Sequence, residues 1–155
     1  MTFKEFAQNH NLILNCTHIN TFETNKDLKA QFKFDCTLIN GNKSMNFDYS
    51  MGYGHRLDLK GNQYQFTNRL TIYEHEKRLL YYKAPKPTIE DVLYSLVMDA
   101  QAGTYSFNVF CDEFGYNNDS IKVQNIYFAC QKIRDDLSTL LSITAYNELM
   151  NCEEA

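Results

Sequence analysis

The sequence predicts an α+β fold, an antiparallel sheet from the N-terminal and middle parts packed against a C-terminal segment of three to four helices. Three observations predict it. Residues 28–51 alternate apolar and polar side chains about an Asn-Gly pair. Residues 88–141 carry apolar stripes at helical spacing, opened by capping residues and closed by glycines. Pro85 and Pro87 stand between the two regions and break the chain there.

The elements follow in order. Thr2-Phe-Lys-Glu5 fits a capping box, so a short helix is predicted to about Asn9. Leu12 to Ile19 reads as a strand with Leu12, Leu14, Cys16 and His18 on one face. The polar run from Asn20 to Asp27 reads as a loop or a short turn. In the next stretch Leu28, Ala30, Phe32, Phe34, Cys36 and Leu38 alternate with polar partners, the period of a half-buried strand. Asn40-Gly41 predicts a type I′ turn, which needs positive φ at both central positions. The return strand puts Met45, Phe47, Tyr49 and Met51 on one face and Asn46, Asp48 and Ser50 on the other. Met51-Gly-Tyr-Gly-His55 reads as a breaker. It lacks the further Gly, the Lys and the strand-to-helix setting of a phosphate loop. Residues 56–66 alternate around Lys60-Gly61-Asn62, which predicts a second hairpin. Arg69 to Lys83 fits a strand first and a helix second.

The helical segment begins where Thr88 can cap and where Glu90 and Asp91 meet the positive end of the helix dipole. Ile89, Val92, Leu93, Leu96, Val97 and Ala100 form its apolar stripe, and Gly103 is expected to stop it. Ser106 caps a short helix with Phe107, Phe110 and Phe114, stopped by Gly115. Asp119 or Ser120 caps a long helix to about Leu141. Thr144, with Asn147 and Glu148, is expected to start a last short one.

The length of 155 residues suits one domain. It reads as a helix plus β-hairpin (1–54), a basic aromatic insert (55–86) and an acidic helical tail (87–155). Net charge is −4, with 15 Lys and Arg against 19 Asp and Glu. Residues 55–86 hold seven basic against three acidic side chains, and residues 87–155 hold three against eleven. Such segregation bears on partners rather than on fold. No apolar run approaches the roughly 18 residues of a membrane span. The first residues lack the apolar core of a signal peptide.

Five cysteines without framework spacing read as buried or free thiols. Cys16, His18 and Cys36 could act as soft metal ligands, but no Cys-x-x-Cys pair accompanies them, and a satisfied core explains them better. In Tyr73-Glu-His75-Glu76 a strand would point the two carboxylates away from the imidazole, so a charged surface is expected there. Asn117 to Asp119 lack the ligand order of a calcium loop and suit an Asx turn. Cys111 has no His partner that sequence can reveal. The reading is therefore a non-enzyme without cofactor or metal. Its candidate binding residues are Arg69, Tyr73, Lys77, Arg78, Tyr81, Tyr82, Lys83 and Lys86 in the basic stretch. Asp112, Glu113, Asp135 and Asp136 join them from the acidic one. Cations interleaved with aromatic rings are what single-stranded nucleic acid requires. Tyr-rich edge strands also carry Lys to prevent edge pairing.

One resemblance adds to this. Thr88-Ile-Glu-Asp-Val-Leu93, Phe107-x-x-Phe110-Cys111-x-x-Phe114-Gly115-Tyr116-x-x-Asp119-Ser120-x-Lys122, Tyr127-x-x-Cys130-Gln131 and Leu137-x-x-Leu140 resemble the C-terminal part of small bacteriophage and prophage proteins. Tyr49-Ser-Met-Gly52 belongs to the same pattern, and residues 55–86 interrupt it like an insertion. The resemblance implies a phage protein acting in the host bacterial cytoplasm. An anti-CRISPR-type inhibitor of a bacterial CRISPR-Cas effector protein or ribonucleoprotein is its leading form. A single-stranded nucleic-acid-binding accessory of replication or recombination is the alternative.

Overall fold

The structure, a computed structural model, describes the backbone of residues 1–19, 23–24, 29–57, 63–68 and 86–154, and the side chains of residues 1–19, 33–50 and 86–154. The architecture is α+β. In chain order come α1 (Phe3–Asn9), β1 (Ile13–His18), β2 (Glu23–Thr24), β3 (Lys29–Asn40), β4 (Lys43–Leu57) and β5 (Gln63–Asn68). Four helices follow: α2 (Ile89–Gly103), α3 (Phe107–Phe114), α4 (Ile121–Leu140) and α5 (Ile143–Met150). The strands form one sheet in the order β1-β3-β4-β5, with β2 also on β3. The chain divides into two compact units. One holds Met1–Leu14, Leu38–Met45 and Thr88–Ala155, and the other Asn15–Thr37 and Asn46–Pro87.

The first unit is helical, and its caps are those the sequence announces. Thr2, Thr88, Ser106 and Ser120 each accept a hydrogen bond from the backbone N–H three residues on. Each thereby satisfies one of the orphan amides of a first turn. Ser120, not Asp119, caps α4. Ser142, not Thr144, caps α5, accepting from the Ala145 N–H at 3.1 Å. Gly115 ends α3 at φ 69°, the left-handed conformation a glycine adopts without penalty.

The apolar stripes become the core of this unit. Val92, Leu93, Val123 and Leu137 are wholly inaccessible, together with Phe6 of α1 and Leu149 of α5. Phe3 meets Tyr94 edge-on at 6.0 Å, which seats α1 on α2. The chain ends lie together here, since the Glu153 N–H donates to the Met1 carbonyl at 3.0 Å. The tip of the β3–β4 hairpin also belongs to this unit. The Asn40 side-chain amide donates to the Leu140 carbonyl at 2.9 Å, and Lys43 Nζ reaches the Thr139 carbonyl at 3.5 Å. The hairpin tip thus meets the end of α4, where the last carbonyls of the helix lack partners within it and a cation is favoured.

The hairpin turn differs from expectation. Its central residues are Gly41 and Asn42, and positive φ is confined to Gly41, at 63°. Asn40 instead ends β3, where its side chain caps α4. Positive φ at the first central position alone is the requirement of a II′ turn rather than I′. A Cβ on Gly41 would touch nothing within 4 Å. Gly41→Ala is therefore expected to cost only the backbone penalty, about 1 kcal/mol. A lowered urea midpoint with an unchanged slope would confirm it.

In the second unit β2 pairs antiparallel with β3, Glu23 opposite Gln31 and Thr24 opposite Ala30. The run from Asn20 to Asp27 therefore contains a short strand where the sequence predicts a loop or a short turn. Phe34, Phe47 and Tyr49 are buried as the alternation requires, and Asp35, Asn46 and Asp48 are exposed. β4 continues through Gly52 and Gly54, which pair with Asn68 and Phe66 of β5. The Gly-Tyr-Gly stretch is thus strand and not a breaker, because an antiparallel partner supplies the ladder that glycine's own propensity does not. The second hairpin forms as expected, Leu57 opposite Gln63. The strand-first reading of Arg69 to Lys83 lies outside the described residues. Among the described residues no helix is long and apolar enough to cross a membrane.

Candidate docking surface

The best-defined surface lies on α3 and α4 of the helical unit. α3 has only eight residues, too short to stand alone, and is held at both ends and on one face. Ser106 closes its start. At its end the Tyr116 N–H returns to the Cys111 carbonyl at 2.9 Å. The inner face packs Phe107 and Phe110 on Tyr127 of α4, with ring centroids 5.4 and 5.1 Å apart. The loop that follows is an Asx turn in which Asn117 Oδ1 accepts from the Asp119 N–H at 3.0 Å.

Three side chains of α4 tie down the end of α2 and the turn after it. The Tyr127 hydroxyl donates to the Tyr105 carbonyl at 2.6 Å and accepts from the Gln131 side-chain amide at 3.0 Å. Arg134 Nη1 donates to the Gly103 carbonyl at 2.6 Å. Gly103 is the last residue of α2 rather than its stop. Its missing side chain lets α2 meet α4 backbone to backbone at Cys130. This clamp fixes the angle at which α3 presents its outer face.

That outer face is acidic and apolar. Asn108, Val109, Asp112 and Glu113 are exposed along it, followed by Phe114. Asp112 and Glu113 make no ion pair with another described residue. Asp135 and Asp136 on α4 differ. Asp135 is bound by Arg134 at 3.0 Å, and Asp136 by Lys132 at 2.6 Å. Their charge is largely matched within their own helix, so of the four acidic candidates Asp112 and Glu113 are the two without an ion pair among the described residues. On α4, Ile121 and Phe128 (58% exposed) sit seven residues apart and so share a face. Sequence reasoning followed only the inward stripe and missed Val109, Ile121 and Phe128.

Lys86 is exposed just before α2. The other basic candidates, Arg69, Tyr73, Lys77, Arg78, Tyr81, Tyr82 and Lys83, lie outside the described residues, as does His75. Cys111, itself a residue of α3, is buried, and burial together with the neighbouring Asp112 carboxylate pushes its thiol up. Burial and Asp99 push Cys130 up to about 11. Both therefore stay protonated near neutral pH, the form that is a poor nucleophile. Among the described residues no group of three or more His, Cys, Asp or Glu is placed to hold a metal. His18 faces the ring of Phe34 at 5.3 Å instead. Compared with protein-family models, curated proteins and solved structures, the chain matches none.

Proposed function

We propose that this protein acts by docking, as a phage inhibitor that binds a bacterial Cas effector and keeps target nucleic acid out of it. The observation that carries the reading is the exposed carboxylate pair, Asp112 and Glu113, which has no ion-pair partner among the described residues and lies on the outer face of a clamped helix in an acidic unit. A groove that accepts nucleic acid is lined with cations, and a rigid anionic face complements it. The exposed Val109 and Phe114 beside the carboxylates add the apolar contact that a stable interface needs at its centre. The phage setting comes from the resemblance of residues 88–141.

The test is capture of Cas effectors by the purified chain, followed by a DNA-cleavage assay. Binding is expected to weaken with salt, since surface charge steers the encounter. Reversing Asp112 and Glu113 to Lys should weaken it more than about tenfold, a decade being about 1.4 kcal/mol. Asp135→Ala, which removes a carboxylate already matched by Arg134, should change it less than about threefold. An effector panel that neither binds the chain nor loses cleavage in its presence would remove the proposal. Tight, salt-dependent binding of a bare oligonucleotide instead would favour the accessory-protein reading.

A further inference from the structure

Two cysteines in the second unit stand directly opposite each other on neighbouring strands. The Ile19 N–H donates to the Lys33 carbonyl at 3.0 Å. In an antiparallel pair every ladder hydrogen bond joins residues that face one another, so Ile19 opposes Lys33. Counting back along β1 and forward along β3 sets His18 opposite Phe34, Thr17 opposite Asp35 and Cys16 opposite Cys36. The ring contact between His18 and Phe34 at 5.3 Å verifies the register independently. Because hydrogen-bonded and non-hydrogen-bonded pairs alternate, Cys16 and Cys36 form a non-hydrogen-bonded pair. In such pairs the Cα atoms come within about 4.5 Å and the side chains lie closest. That spacing falls inside the range a disulfide spans, about 4.4 to 6.8 Å between Cα atoms.

We propose that Cys16 and Cys36 are a thiol–disulfide exchange site, which a low-molecular-weight disulfide oxidises to a cross-strand disulfide between β1 and β3. The two thiols have unequal roles. Cys16 is partly exposed and Cys36 is wholly buried, so the reagent meets Cys16 first. The two thiols are hydrogen-bonded to one another, a contact that favours the thiolate at Cys16 and the thiol at Cys36. The Cys16 thiolate attacks one sulfur of the reagent, whose S–S bond breaks and releases one thiol. Cys36 then loses its proton, attacks the Cys16 sulfur and displaces the second thiol. Two protein thiols and one small disulfide become one protein disulfide and two small thiols. Burial is the main influence on both cysteines and raises both thiols, most strongly Cys36, with Asp35 adding to each. The exchange is therefore slow at neutral pH. It should quicken about tenfold per pH unit while the pH lies below the Cys16 value, because only the thiolate attacks.

The experiment treats the full chain with excess oxidised glutathione at mildly alkaline pH, alkylates the remaining thiols under denaturing conditions and maps tryptic fragments by mass. Residues 5–26 and 34–43 should be found joined, two hydrogens lighter than their sum, and separated again by dithiothreitol. In Cys36→Ala the glutathione should remain on Cys16 as a mixed disulfide. If that variant does not fold, the fragment map of the unaltered chain decides alone. Glutathione held on Cys16 beside a free Cys36 in the unaltered chain would overturn the proposal. So would bridges from either residue to Cys111, Cys130 or Cys152, or two unmodified thiols after prolonged treatment.

Discussion

Gly103→Ala is expected to destabilise the helical unit by about 3 kcal/mol, although alanine is the better helix former by about 1 kcal/mol. The two effects have opposite signs, so the outcome reads the packing directly. A Cβ at Gly103 would lie 2.7 Å from the Cys130 carbonyl oxygen, 2.8 Å from its carbon and 2.9 Å from the Gln131 nitrogen. All three are backbone atoms of α4, which cannot rotate away as a side-chain tip would. Relief requires α2 and α4 to separate along the buried row of Val92, Leu96, Val123 and Tyr127, opening space that close-packed interiors do not tolerate. Separation also stretches the bonds from Arg134 to the Gly103 carbonyl and from Tyr127 to the Tyr105 carbonyl, both 2.6 Å. Equilibrium urea denaturation gives the sign. A variant as stable as the parent, or more stable, would mean that the two helices do not approach here.

Gly103 also shows what one sequence can and cannot reveal. The caps were legible because each is a local event: a hydroxyl at Thr2, Thr88, Ser106 or Ser120 meets an amide three residues along. Gly115 was legible for the same reason, its left-handed φ being a local demand. Gly103 follows an apolar stripe just as Gly115 does, yet its role is set by a backbone 27 residues downstream, which no local rule reports. Gly52 and Gly54 were misread in the same way, since β5 decides that they are strand. Asn40-Gly41 marked the right turn one residue early, because Asn40 is recruited by the Leu140 carbonyl. The facing of Cys16 and Cys36 depends on strand register. Alternation put both on apolar faces but could not align the strands. The candidate site was half legible. Lys132 and Asp136 are spaced to pair on one helix, and that spacing could have withdrawn Asp136 beforehand. The separation of Asp112 and Glu113 from every described cation is tertiary and needed the fold.

Phe110→Ala is expected to cost about 3 to 5 kcal/mol, the range for a large aromatic side chain removed from a core. Phe110 is 2% exposed, and its ring lies 5.0 Å from Phe114, 5.7 Å from Tyr116 and 5.1 Å from Tyr127. It is the one ring of α3 that contacts the helix end, the following loop and α4 together. An eight-residue helix has little stability of its own, so most of what holds α3 in place is this burial. The loss should be greatest within α3. Amides of residues 107–114 should exchange with solvent far faster, while those of α2 around Leu93 and Leu96 should keep most of their protection. Val109→Ala, on the exposed side of the same helix, should change stability by less than about 0.5 kcal/mol. The pair of variants also separates folding from docking. If Asp112 and Glu113 act from a rigid helix, Phe110→Ala abolishes capture of a Cas effector although both carboxylates remain. Val109→Ala weakens capture without altering exchange. Undiminished capture by a chain whose α3 amides exchange freely would place the docking surface elsewhere.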